Sequence, residues 1–106
     1  MRRSQDELQP RARLDVWLWR ARLAKTRGVA TELIRAGHVR VNGQKTRVVA
    51  RGVREGDILT VALERSVVVL RVAALGERRG PATEARTLYE PVGASDDGEP
   101  EDEGAV

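Results

Sequence analysis

Cysteine is absent from the 106-residue chain, which excludes disulfide bonds and thiolate chemistry and suits a reducing compartment. Histidine occurs once, at His38, with no second histidine or clustered carboxylate beside it. The sequence therefore offers no metal-binding set and no histidine-based catalytic pair. No apolar run reaches the length needed to span a bilayer, and residues 1–10 are charged and lack the apolar stretch of a signal peptide. The expected location is the cytoplasm, away from membranes. A glycine-rich phosphate loop and a paired nucleophile and base are also missing, so no enzyme activity, cofactor, metal or small-molecule substrate is expected.

Basic residues, abundant elsewhere, are missing from residues 93–106, where all six acids (Asp96, Asp97, Glu99, Glu101, Asp102, Glu103) stand among small residues. Such a composition cannot bury enough surface to fold, and a disordered acidic tail is expected. All nineteen Lys and Arg residues and the other ten acids lie in residues 1–92, which leaves that part with an excess of nine positive charges. A polyanion is the natural partner of so basic a small body, and nucleic acid is the commonest one. The plain alternative is a surface charged for solubility. An anionic membrane fits less well, because no strongly amphipathic helix with a basic border is present.

Residues 1–10 lack apolar periodicity and read as a mobile arm, residues 11–92 as one small domain. In residues 14–23 Leu14, Trp17, Leu18 and Ala21 make one helical stripe, while Val16, Trp19 and Leu23 make a second on nearly the opposite side. Both stripes need cover, and Trp19 is expected to pack in the core instead of stacking on a base. Thr26 suits an N-cap and Gly37 a left-handed helix end, so residues 27–36 form a second helix with Val29, Ala30, Leu33 and Ile34 on its apolar side. His38 to Val41 then alternates polar and apolar as a half-buried strand, and Asn42-Gly43 is a strong two-residue hairpin signal. Residues 46–50 read as the next strand, 51–57 as a turn-rich connection, and 58–63 and 67–75 as a hairpin around Glu64-Arg65-Ser66. The unbroken apolar run Val67-Val68-Val69-Leu70 predicts burial on both faces. Pro81 suits a helix start, and residues 82–89 read as a short helix whose Leu88 and Tyr89 would cover the second stripe of the first helix.

Charge concentrates where the second helix and the hairpin meet. Lys25, Arg27, Arg35, Arg40 and Lys45 fall within 21 residues, with Glu32 as the only acid, whereas solubilising surfaces intersperse both signs. Arg27 and Arg35 lie away from the apolar stripe, and Lys25 and Arg27 flank the cap, where unpaired N–H groups and the helix dipole favour an anion such as phosphate. The turn is expected to lift Arg40, Asn42, Gln44 and Lys45 beside that basic face. Turn chemistry alone already accounts for Asn42.

The order Arg13-Leu14-Asp15, Lys25-Thr26-Arg27, residues 33–43 ending in Gly-x-Val-x-Val-Asn-Gly, and Gly56-Asp57-Ile58 resembles the RNA-binding domain named after ribosomal small-subunit protein four. Trp17-Leu18-Trp19, Arg78-Arg79-Gly80-Pro81-Ala82 and Leu88-Tyr89-Glu90 narrow the resemblance to the ribosome-associated fifteen-kilodalton heat-shock branch, over about residues 11–92. The resemblance implies an α+β fold, the alpha-L RNA-binding motif: two N-terminal helices packed on a small, mostly antiparallel sheet, with a short C-terminal helix. It implies structured RNA as partner, namely large-subunit ribosomal RNA and transfer RNA on a free large subunit carrying a stalled nascent chain, with a role in subunit recycling after heat stress. It carries RNA contacts onto Arg13, Lys25, Thr26, Arg27, Arg35, Arg40, Asn42, Gln44 and Lys45. Members with that role have a basic carboxyl-terminal extension where this chain is acidic. The rival expectation is a general structured-RNA accessory module for an RNA-modifying enzyme or for ribosome assembly.

Overall fold

The computed structural model describes residues 9–92. The expected arm therefore lies almost wholly outside the described residues, and the acidic tail entirely so. Within them the order is β1 (Ala12–Arg13), α1 (Leu14–Arg20), α2 (Arg27–Arg35), β2 (Val39–Val41), β3 (Gln44–Lys45), β4 (Gly52–Val53), β5 (Ile58–Ala62), β6 (Val67–Val72), α3 (Ala82–Ala85) and β7 (Tyr89–Pro91), with a 3-10 turn at Arg86–Leu88 before β7. Three helices and an antiparallel sheet of strand order β3-β2-β5-β6-β7 make the expected α+β fold, and β1 and β4 form a separate two-stranded ribbon.

Helix α1 stops three residues short of its expected end. Ala21 caps it, and Arg22 takes a left-handed φ of 61° while its N–H donates to Trp19 O and that of Leu23 to Leu18 O. Its N-terminus is held from a distance: the N–H groups of Leu14 and Asp15, unpaired within the helix, donate to Arg51 O and Val49 O. That engagement is why residues 46–50 are not the expected strand. The Val49 carbonyl turns to α1, and Gly52 and Val53, expected in a plain connection, pair with β1. Helix α2 follows its local signals. Thr26 Oγ1 accepts the Val29 N–H at 3.0 Å, and Gly37 ends the helix at φ 83°. The turn after β2 has Asn42 at φ 52° and Gly43 at φ 85°, the paired left-handed residues of a type I′ hairpin.

Strands β2 and β5 bury alternate residues, Val39 and Val41 on one, Leu59 and Val61 on the other. Strand β6 does the same with Leu70 and Val72, and Val67 is 62% exposed. The expected two-sided burial of this strand is thus overturned, because helices cover only one face of the antiparallel sheet. Strand β6 also ends at Val72, before the expected limit at 75.

From α1 and α2, Leu14, Trp17, Leu18, Ala30 and Ile34 are fully buried against the sheet. Burying a large apolar side chain is worth roughly 1.5–3 kcal/mol, which is what holds two helices too short to persist alone. Val29, expected on this face, is 39% exposed at its margin. The expected helix over residues 82–89 is a single turn followed by 3-10 geometry, and Tyr89 starts a strand instead. Tyr89 meets Trp17 edge to face, with ring centroids 6.5 Å apart, so it covers the first stripe of α1 and not the second. Trp17, not Trp19, is the core tryptophan, and its Nε1 donates to Ala74 O at 2.9 Å. Trp19 is half-buried outside the core with the Arg79 guanidinium 5.9 Å from its ring centroid.

Candidate nucleic-acid interface

The residues expected to contact RNA fall into two cationic groups, one at each end of α2. At the N-terminal end, Arg13 forks onto Asp15, with Nε 3.0 Å from Oδ1 and Nη2 3.1 Å from Oδ2, and Arg27 Nη2 approaches Oδ2 at 3.5 Å. The Asp15 side chain is 3% exposed and those of both arginines 52%. A buried carboxylate thus aims two guanidinium groups at solvent, and the trio keeps a net positive charge. Burial pushes the Asp15 carboxyl up, but hydrogen bonding and charge from Arg13, the Val16 N–H and the Arg27 charge outweigh it and leave it below its ordinary value. The same pairing raises the pKa of Arg13. Lys25 is exposed just before the cap. Thr26 spends one oxygen lone pair on the cap and keeps its hydroxyl hydrogen to donate.

At the other end, Arg35 is exposed in the last turn of α2, and Arg47 Nη1 donates to its carbonyl at 3.1 Å, where the helix dipole favours a cation. Arg40 and Lys45 are directly paired across β2 and β3, so both side chains stand on the solvent face. A Cβ placed on Gly37 would lie 3.0 Å from Arg47 Nη2 and 3.3 Å from Lys45 Cδ; the bare glycine lets these chains gather over the helix end. Like charges directly opposite on a hairpin repel, and an anion between them would relieve that. The nine residues of α2 separate the two groups by about 12 Å at 1.5 Å per residue.

Two of the expected residues stand differently. Asn42 is turned inward on the chain: its Oδ1 accepts the Ile58 N–H at 2.9 Å and its Nδ2 donates to Asp57 Oδ1 at 3.2 Å. Gln44 pairs with Val41 and so stands on the opposite face of the hairpin from Arg40 and Lys45, where it is still exposed. Sequence reasoning missed Arg47, placed in a strand that does not form. It also missed Arg11, Arg51 and Arg54, which line a recess of about 280 Å³ with Asn42 and Asp57. The charge count around Lys45 could have included Arg47; no local signal marks the recess, whose lining comes from distant stretches of the chain. Among the described residues no group of three or more His, Cys, Asp or Glu is placed to hold a metal ion, and no helix is long and apolar enough to cross a membrane.

Two helices over a one-sided antiparallel sheet, with a basic hairpin beside the second helix, define the class: the S4 domain matches residues 12–59. Heat shock protein 15 of Escherichia coli K12 is 41% identical over 83 residues, 78% of this chain and 62% of the relative. The Aeromonas salmonicida homologue is 37% identical over 89 residues, 84% of this chain and 67% of the relative. A small ribosomal subunit protein uS4 from Bradyrhizobium is 37% identical over 71 residues, 65% of this chain but 35% of the relative. The solved structure of Vibrio cholerae heat shock protein 15, described as trimeric, aligns with a TM-score of 0.76 at 31% identity over 82% of this chain and 87% of that one. The chain belongs to the heat shock protein 15 family of S4-domain proteins. It spans 62% of the length of the Escherichia coli relative.

Proposed function

We propose that residues 11–92 bind structured RNA through the two ends of α2 and the β2–β3 hairpin. The observation that carries this reading is the pairing of Arg40 with Lys45 on the open face, next to Arg35 and Arg47, with Arg13 and Arg27 presented by Asp15 at the other end. Guanidinium forks and ammonium groups at two fixed points suit the phosphates of a folded RNA, which are read by position and not by base. The finer reading is large-subunit ribosomal RNA on a free subunit that carries a stalled nascent chain on transfer RNA, met in the cytoplasm after heat stress. The kinship with heat shock protein 15 and with a ribosomal protein supports its coarser part, RNA binding at the ribosome.

Titrating large-subunit ribosomal RNA against the full chain at several salt concentrations tests the reading. Each phosphate neutralised on duplex adds roughly 0.9 to the slope of log K against log salt, so the expected slope is steep. Replacing Arg35, Arg40 and Lys45 by glutamine should lower it by about 2 to 3. A flat salt response of the parent chain would remove the phosphate-binding reading altogether.

A further inference from the structure

Arginine is an unexpected residue at the left-handed position that ends α1. Arg22 has φ 61°, a conformation that crowds a β-carbon and that helix ends normally give to glycine. Strain of this kind persists where the side chain is needed. Here the side chain is anchored: Arg22 Nε donates to Gly80 O at 2.8 Å. A second arginine is anchored the same way across the same junction, with Arg79 Nε on Trp19 O at 3.1 Å and its guanidinium carbon 5.9 Å from the Trp19 ring centroid. When Nε is held by a backbone carbonyl, the outer nitrogens of the fork are fixed in direction before any ligand arrives.

Arg22 also lines a recess of about 220 Å³, together with Arg86 from the turn before β7. Arg86 is exposed, and its side chain makes no hydrogen bond or ion pair among the described residues. Two guanidinium groups thus flank one open depression whose floor is supplied by Ala21, Ala82 and Ala85. The neighbouring acid, Glu84, is already paired with Arg78 at 2.7 Å. The patch stands at the C-terminal end of α1, about 10 Å along the helix from Asp15 at 1.5 Å per residue. None of its members belongs to residues expected to bind RNA, and Arg79 and Arg86 lie outside the stretch matched by the S4 domain.

We propose that Arg22 and Arg86, with Arg79 locked on Trp19 beside them, form a second phosphate-binding surface that engages a further backbone segment of the same structured RNA. The proposal rests on the RNA-binding reading above and extends it to the opposite end of α1. Guanidinium forks fit phosphate oxygens two at a time, and an anchored guanidinium facing an unpaired one across a depression suits a backbone segment that passes between them. Arg22, by its anchor to Gly80, also ties that surface to the docking of the segment after β6.

The test uses the full chain and the same large-subunit ribosomal RNA. Arg22→Gly removes the guanidinium while relieving the backbone, Arg86→Gln removes an unpaired charge, and the two are combined. Each phosphate no longer neutralised should lower the slope of log K against log salt by about 0.7 to 0.9, so the double variant should lose about 1.4 to 1.8. Its affinity at 0.1 M salt should fall by a factor of roughly 25 to 60, that slope change taken over one decade of salt. A double variant that matches the parent in slope and affinity, while the Arg35, Arg40 and Lys45 replacements weaken binding, overturns the second surface and leaves the first standing. A flat salt response of the parent overturns both. Should Arg22→Gly disturb the fold, as thermal melting would reveal, Arg86→Gln alone decides: an unchanged slope overturns the proposal, and a loss of about 0.7 to 0.9 sustains it.

Discussion

Asp15 concentrates the chemistry of the N-terminal group in one carboxylate, which accepts from the Val16 N–H and from the Arg13 fork and stands 3.5 Å from Arg27. Its folded pKa is lowered, so ionisation favours the native state. That contribution is complete above the ordinary carboxylate value of about 4 and is lost as pH falls through the lower folded value. Asp15→Asn should therefore cost about 1–2 kcal/mol at neutral pH, and the gap to the parent should close as pH falls below the ordinary carboxylate range. Urea midpoints measured over that fall in pH check it; a gap independent of pH would mean that packing, not charge, gives Asp15 its effect. The tryptophans show the same dependence on distant partners. Trp17 and Trp19 sit in one motif with opposite stripes, and helical spacing alone ranks neither above the other. What separates them is the segment after β6, which brings Ala74 and Tyr89 to Trp17 and Arg79 to Trp19.

The hairpin of β2 and β3 was legible in the sequence because its turn is encoded by two adjacent residues that tolerate left-handed backbone. Its attachment to the rest was not. Asn42 bonds Asp57 and Ile58, fifteen and sixteen residues away, and so pins the turn to the start of β5. Asn42→Ala should cost about 1–3 kcal/mol through a strained φ and an unpaired Ile58 N–H, seen as a lower thermal midpoint. Measured where the variant is still folded, its RNA affinity should fall less than that of Lys45→Gln. The reverse order would make Asn42 a contact residue. For the same reason helix α2 could be bounded from its own cap and glycine, whereas β1 and β4, two residues each, carry no pattern of their own and exist through pairing with one another.

For the whole molecule the governing quantity is the division of charge, nine excess positive charges in residues 1–92 against six acids in residues 93–106. An acidic segment joined to a basic body can compete with RNA for it, within the reach set by a Debye length of about 8 Å at physiological salt. Removing residues 93–106 should tighten RNA binding at low salt, with the advantage shrinking as salt rises. Equal affinities of the two chains at low salt would assign the segment a spacer role.

Taken alone, the sequence determined what depends on near neighbours: the extent of α2 from Thr26 and Gly37, the type I′ turn at Asn42-Gly43, the β5–β6 hairpin, the excess of positive charge and its density around Lys25 to Lys45. Caps, turns and periodicity are interactions within a few residues, and composition needs no geometry. The tertiary structure decided which face each of these residues shows. It put Gln44 on the opposite face from Lys45, brought Arg47 onto the end of α2, left β6 one face in solvent, and carried Arg79 and Arg86 to the end of α1. Those placements come from backbone hydrogen bonds and packing between segments up to sixty residues apart, and no local pattern specifies which distant carbonyl a guanidinium will find.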